Sequence, residues 1–114
     1  MKTSKLTGAA LDWAVAKCEG HKVFVKYAPL QIMYTPKRKR SLYTYRPSTN
    51  WAQGGLIIDR ETISLDYAQE EDWAAKTSAY QWAYGPTPLI AAMRCYVASK
   101  LGDDVNIPDE LYPQ

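Results

Sequence analysis

The sequence predicts an α+β fold: a small antiparallel sheet of short strands packed by an N-terminal and a C-terminal helix. Three observations carry this. An apolar stripe of helical period runs up to Gly20, and a second begins at Thr87-Pro88 and stops at Gly102. Between them lie short β-branched and aromatic runs, broken by proline, glycine and charged residues. The length of 114 residues is that of one domain, and residues 1–114 show no repeat and no internal linker.

The first helix is expected over residues 8–19. Thr7 stands at its N-cap, and Leu6 and Leu11 have the spacing of a hydrophobic staple. Leu11, Ala14, Val15 and Cys18 fall at i, i+3, i+4, i+7, and Gly20 occupies the left-handed C-terminal position. Strands follow at Lys22–Tyr27, Leu30–Tyr34 and Leu42–Tyr45, the last two forming a hairpin across the charged loop Lys37-Arg38-Lys39-Arg40. Residues 48–55 are glycine-rich, so we expect one helical turn over 50–53, capped by Ser48 or Thr49. Leu56–Ile58 and Ile63–Leu65 read as short strands around a turn at 59–62. Asp72–Lys76 reads as one more strand after the acidic turn Glu70-Glu71, and Tyr80 to Tyr84 fits neither period clearly. Thr87 caps the last helix, with proline at its first position, and Leu89, Met93, Tyr96, Val97 and Leu101 lie along one side. Residues 103–114 form an extended tail, pinned by Val105 and Ile107.

Composition excludes several classes. Hydrophobic residues make up 46% and charged residues 23%, which argues against disorder. No apolar run approaches the roughly 18 residues of a membrane span, and Met1–Lys5 leads into no signal-type apolar region, so a cytoplasmic location and no membrane partner are expected. The net charge of +2 is too small to imply nucleic acid. Residues 1–57 nevertheless hold ten Lys/Arg against two acids, and residues 58–114 hold four against ten. We expect the halves to interleave in space; the alternative is a molecule with a basic and an acidic side.

Catalytic machinery is not indicated. A P-loop, a nucleophile elbow and a zinc-protease helix are all missing, and the single histidine, His21, follows a helix-ending glycine. No metal spacing surrounds Cys18 or Cys95, which read as small buried hydrophobes. Asp59 and Glu61 would share one face of a strand, although solvated surface charge is the ordinary reading. The expectation is therefore no enzyme, no metal and no cofactor.

Binding is better supported. Four Trp and nine Tyr against one Phe favour side chains with an apolar face and a polar handle. Trp51 sits in a glycine-bounded segment between Asn50 and Gln53, where a scaffold displays side chains. The N-terminus of the last helix, at Thr87, offers free N–H groups to an anion, although Thr87 is first a cap. Arg94 lies between Met93 and Cys95 and needs a partner if half-buried: an internal carboxylate ordinarily, a ligand phosphate otherwise. The basic loop Lys37, Arg38, Lys39 and Arg40, flanked by Tyr34, Tyr43 and Tyr45, is the one overt nucleic-acid signal. Two helices leave a sheet face or edge uncovered, and Tyr27, Tyr34, Tyr43 and Tyr45 suit a half-polar interface, so a homodimer or larger assembly is expected.

Three blocks carry a resemblance. They are Thr3-Ser4 with Leu6 to Ala16, then Ser48 to Gly55, then Gly85 to Ala98. In order and spacing they resemble a small family of NinX-like proteins from lambdoid-type phages and enterobacterial prophages. Two departures stand out: Leu56 follows the double glycine where the family often has proline, and Gln31 to Tyr45 is atypical. The resemblance implies a phage accessory protein in the host cytoplasm and supplies no reaction; such proteins often act on host defence or DNA metabolism. Joined to the residues above, it suggests sequestration of a small anionic, nucleotide-type signal of host defence. Trp51 would stack the base, Asn50 and Gln53 would read its edge, and Thr87 with Arg94 would hold phosphate. The alternative is a factor binding nucleic acid or a host protein through residues 37–40.

Overall fold

The computed structural model describes every residue except Ala28, Arg38, Glu70, Glu71, Pro113 and Gln114. The sequence readings at Arg38 and at the Glu70-Glu71 turn lie outside the described residues. The described elements are α1 (Gly8–Glu19), β1 (Val23–Lys26), β2 (Gln31–Tyr34), β3 (Tyr43–Tyr45), α2 (Trp51–Glu61), β4 (Ser64–Tyr67), β5 (Trp73–Lys76), β6 (Ala83–Gly85) and α3 (Pro88–Leu101), with 3-10 turns at Thr3–Lys5 and Asp109–Leu111. The fold is α+β, with two small three-stranded antiparallel sheets, ordered β1-β2-β3 and β4-β5-β6, rather than the single sheet expected.

The central element is α3. Leu89, Ala91, Ala92, Met93, Cys95, Tyr96, Val97 and Ala98 are all buried, so the helix is enclosed on nearly every side. Such a helix belongs in a core rather than on one face of a sheet. It packs against the β4–β6 sheet, α1 and α2, and that crowding explains its small residues. At Gly85 the sheet presses directly onto it: a Cβ there would stand 2.7 Å from the Ala91 nitrogen. The register Leu65↔Ala75↔Ala83 and Tyr67↔Trp73↔Gly85 sets these residues on one face of the sheet. The first sheet contacts α1 through β2, with Val23, Val25, Ile32, Tyr34 and Tyr45 on one face. The segment after α3 is pinned as expected, with Val105 and Ile107 buried and Leu111 added to them. Thr3 closes it: its hydroxyl donates to the Gly102 carbonyl at 2.7 Å.

The terminal helices stand where the sequence put them. Leu6 and Leu11 are fully buried, and Gly20 adopts a left-handed conformation at φ 75°. Thr7 holds the N-cap backbone geometry without a side-chain cap bond.

The expectation for residues 50–62 is corrected. Instead of one turn, a strand and a hairpin, the segment forms the eleven-residue helix α2, capped by Asn50 rather than Ser48 or Thr49. Two glycines and the β-branched pair Ile57-Ile58 disfavour a helix locally. Tertiary packing outweighs them: a Cβ on Gly54 would lie 2.3 Å from the Pro47 carbonyl oxygen and 2.6 Å from Leu89 Cδ2, so only glycine lets α2 approach α3 this closely. Thr62 ends the helix in the left-handed region, φ 53°. Asp59 and Glu61 therefore sit on a helix, about 200° apart around its axis, and do not form a carboxylate pair. No helix among the described residues is long and apolar enough to cross a membrane.

Candidate functional site

The polar groups around Trp51 serve the fold. The indole is 55% exposed at the first turn of α2, so the sequence displays it as expected. Asn50 Oδ1 accepts from the N–H groups of Ala52 at 2.8 Å and Gln53 at 3.2 Å, capping α2. The Gln53 amide donates to the Thr44 carbonyl at 3.0 Å and accepts from the Arg46 N–H at 2.7 Å. It thus occupies the open edge of β3 as a strand would. Thr87 Oγ1 accepts from the Ile90 N–H at 3.1 Å, the cap expected of it. Behind this region Asp12 is buried on α1, and its Oδ1 accepts from the Ser48 N–H at 2.9 Å. Burial pushes the Asp12 carboxyl up to about 6, against the opposing pull of Ser48 and Arg46. Trp51 and Thr87 do share a cleft, of about 200 Å³, with Ser48, Pro88 and Ile90, but Asn50, Gln53 and Arg94 do not line it.

Arg94 opens onto a different cleft, on the other side of the Gly85-Pro86-Thr87 turn. It is half-buried, yet it forms no ion pair with a described carboxylate. Its Nε donates to the Leu6 carbonyl at 2.8 Å and its Nη1 to the Tyr84 carbonyl at 2.9 Å. Nη2 has no hydrogen bond to a described residue. Burial lowers the guanidinium pKa, and Asp72 nearby pulls it the other way. The cleft holds about 190 Å³ and is lined by Tyr80, Trp82, Tyr84 and Pro86, and by Ser4 and Asp72. The Tyr80 hydroxyl donates to Asp103 Oδ1 at 3.0 Å. Trp82 is 40% exposed and sits at φ 64°, a conformation bulky side chains rarely adopt. The Lys76 ammonium lies 5.0 Å from its ring centroid, a cation–π contact. Sequence reasoning missed Trp82 and Lys76. The signal for this site was Arg94 itself, a cation inside the otherwise apolar stretch Leu89–Ala98.

A third cleft, about 280 Å³, is also absent from the sequence reading. Glu19, His21, Tyr34, Tyr45, Gln53, Leu56 and Arg60 line it. The His21 ring lies 5.1 Å from both Tyr34 and Tyr45, so it packs on aromatic rings rather than standing free at a turn. Arg60 grips Glu19 through two nitrogens at 2.6 and 3.0 Å and reaches Glu61 at 3.0 Å, and Tyr96 donates to Glu19 at 2.5 Å. Desolvation acts to raise the Glu19 pKa, but the bonds from Arg60 and Tyr96 outweigh it and hold the carboxyl below its ordinary value. The charges here are already matched. Lys100 reaches Glu61 at 3.5 Å within the second half of the sequence. The two halves meet where Arg60 pairs with Glu19 and where Lys2 lies 3.6 Å from Asp104.

Lys37, Lys39 and Arg40 are exposed, but two of the three tyrosines expected beside them are not displayed: Tyr45 is buried, and Tyr34 is half-buried against His21. Cys95 is buried and Cys18 half-buried, and desolvation raises both thiols, Cys18 to about 11. Among the described residues no cluster of three or more His, Cys, Asp or Glu could hold a metal ion.

The three sequence blocks meet as packing joints. Asp12 bonds Ser48, Gly54 admits Leu89, and Arg94 bonds Leu6. Residues 2–100, nearly the whole of this arrangement, match a family model described as Bacteriophage P22, NinX. No curated protein matches the chain.

Proposed function

The chain belongs to the NinX family of bacteriophage P22, and on that premise we propose that it is a non-catalytic accessory protein that binds a small anionic molecule with a planar ring, of nucleotide type, in the Arg94–Trp82 cleft. One observation carries this reading. A half-buried guanidinium lines a cleft with aromatic walls, and its hydrogen-bond partners among the described residues are backbone carbonyls. Carbonyls orient a cation without cancelling its charge, so an arriving anion gains a charge-assisted bond at a site already partly stripped of water. Asp72 lines the same cleft and sets a limit, because its negative charge selects ligands whose anionic group meets Arg94 and keeps clear of the carboxylate. Trp82 and Tyr84 supply faces on which a base can stack, and stacking tolerates many bases. The role is sequestration: a protein that holds such a signal lowers its free concentration without altering it.

The test is equilibrium titration with the four ribonucleoside 5′-monophosphates, followed by calorimetry. At least one should bind saturably. Arg94→Lys keeps a charge but loses the fork, and should weaken binding tenfold or more; Trp51→Ala should leave it unchanged. Absence of saturable binding, or loss of binding in Trp51→Ala alone, would overturn the reading.

A further inference from the structure

The segment 77–82 supplies lining residues to a second cleft as well as to the first. Tyr80 and Trp82 line the Arg94 cleft, and Thr77, Ser78 and Gln81 line the other, together with Thr62, Ser64 and Lys76. The segment is internally braced: the Thr77 N–H donates to the Tyr80 carbonyl at 2.8 Å, and the Tyr80 N–H returns to Thr77 Oγ1 at 3.0 Å. The second cleft holds about 260 Å³, and its side chains are hydroxyls, one amide and one ammonium. Lys76 forms no ion pair with a described carboxylate; its ammonium rests on Trp82. The β5–β6 register explains the contact. Ala75 pairs with Ala83, so one step further sets Lys76 opposite Trp82.

Strain points to the same place. Among the described residues two non-glycine positions have positive φ, Thr62 at 53° and Trp82 at 64°, and they line one cleft each. A β-branched and a bulky aromatic residue are poor occupants of that region, and such outliers persist where the surroundings or a function require them. Thr62 ends α2, and Trp82 stands one residue before β6. Its indole lines the cleft of one cation, Arg94, and carries a second, Lys76, over its ring.

Resting on the reading above, we propose that the ligand carries two separated anionic groups, as a dinucleotide does, one held at Arg94 and the other at Lys76 in the hydroxyl-lined cleft, with a base against Trp82. Two phosphates separated by one nucleoside stand further apart than the adjacent phosphates of a diphosphate, and a separated pair is what two cations lining different clefts would select.

The experiment compares AMP, ADP and the 5′-phosphorylated dinucleotide pApA on the full chain. The expected result is that pApA binds at least tenfold more tightly than AMP, and that ADP stays within threefold of AMP. Lys76→Gln, an exposed change, should remove the pApA advantage, read as the ratio of pApA to AMP affinity in the same variant. If AMP binds through Arg94 but pApA gains nothing, or if ADP gains as much as pApA, the two-site inference is overturned and the single-site reading stands. If none of the three binds, both fall. A 5′-phosphorylated twelve-residue oligoadenylate should bind no more tightly than pApA. A tenfold tighter oligomer would overturn a free dinucleotide as the ligand in favour of a strand end.

Discussion

Two clefts flank the Gly85-Pro86-Thr87 turn, and they differ in what their polar groups are doing. Beside Trp51, the Asn50 carbonyl caps α2, the Gln53 amide closes the edge of β3, and Thr87 caps α3. Across the turn, Arg94 forms no ion pair with a described carboxylate, and Trp82 is held in a strained conformation with its ring in reach of solvent. A displayed aromatic residue flanked by amides reads as a binding site in sequence. In three dimensions the amides are spent on the backbone, and the spare donor is elsewhere. The lesson is that a candidate site is judged by the hydrogen bonds its groups have left to make.

That contrast can be broken by substitution. Changes on the Trp51 side should alter stability and spare binding, and changes on the Trp82 side should do the reverse. The largest expected effect is at Asp12, which anchors Ser48 behind the Trp51 cleft. Its folded pKa of about 6 lies above the ordinary value of 3.8, so the native state holds the extra proton between those values. Wild-type stability should therefore fall as pH rises from about 4 to about 6, by on the order of 3 kcal/mol from this group. Asp12→Asn lacks that loss, so its stability relative to wild type should rise across the same window. Denaturant unfolding of both proteins at pH 4 and pH 7 checks this; parallel profiles would contradict it.

Next comes Gln53→Ala, which leaves a carbonyl and an N–H of the β3 edge unmet. Unfolding free energy should drop by about 2 kcal/mol with nucleotide affinity unchanged. A comparable loss of affinity would return the site to the Trp51 side. Trp82→Gly sharpens the contrast from the other direction. Glycine adopts φ 64° without strain, so stability should stay within about 1 kcal/mol of wild type, while nucleotide affinity falls by about 1–3 kcal/mol, the worth of a stacked base. Paired thermal melts and titrations separate the two effects. The smallest change is Thr87→Ala, which should cost about 1 kcal/mol of stability through the lost cap and nothing in binding.

Much of the fold was legible because local chemistry and tertiary packing agree. The caps and terminal glycines of α1 and α3 mark both helices to within a residue. At α2 they conflict. Gly54, Gly55, Ile57 and Ile58 argue against a helix, and the opposing force is the closeness of Pro47 and Leu89, which no local pattern announces. The site divides in the same way. The exposure of Trp51 and the half-burial of Arg94 were legible from their immediate neighbours. The partnership of Arg94 with Trp82, and of Trp82 with Lys76, depends on β5, β6 and α3 coming together. Residues 80–84 fit no period because Trp82 departs from the strand with a positive φ.

The charge of Arg94, not the displayed ring of Trp51, defines the proposed binding site. The most direct measurement is a titration of Arg94→Lys and Trp51→Ala with the tightest-binding nucleotide, each variant first checked for folding by circular dichroism. Affinity should fall tenfold or more in Arg94→Lys and stay at the wild-type level in Trp51→Ala. A folded Arg94→Lys protein that binds as well as wild type would contradict this assignment.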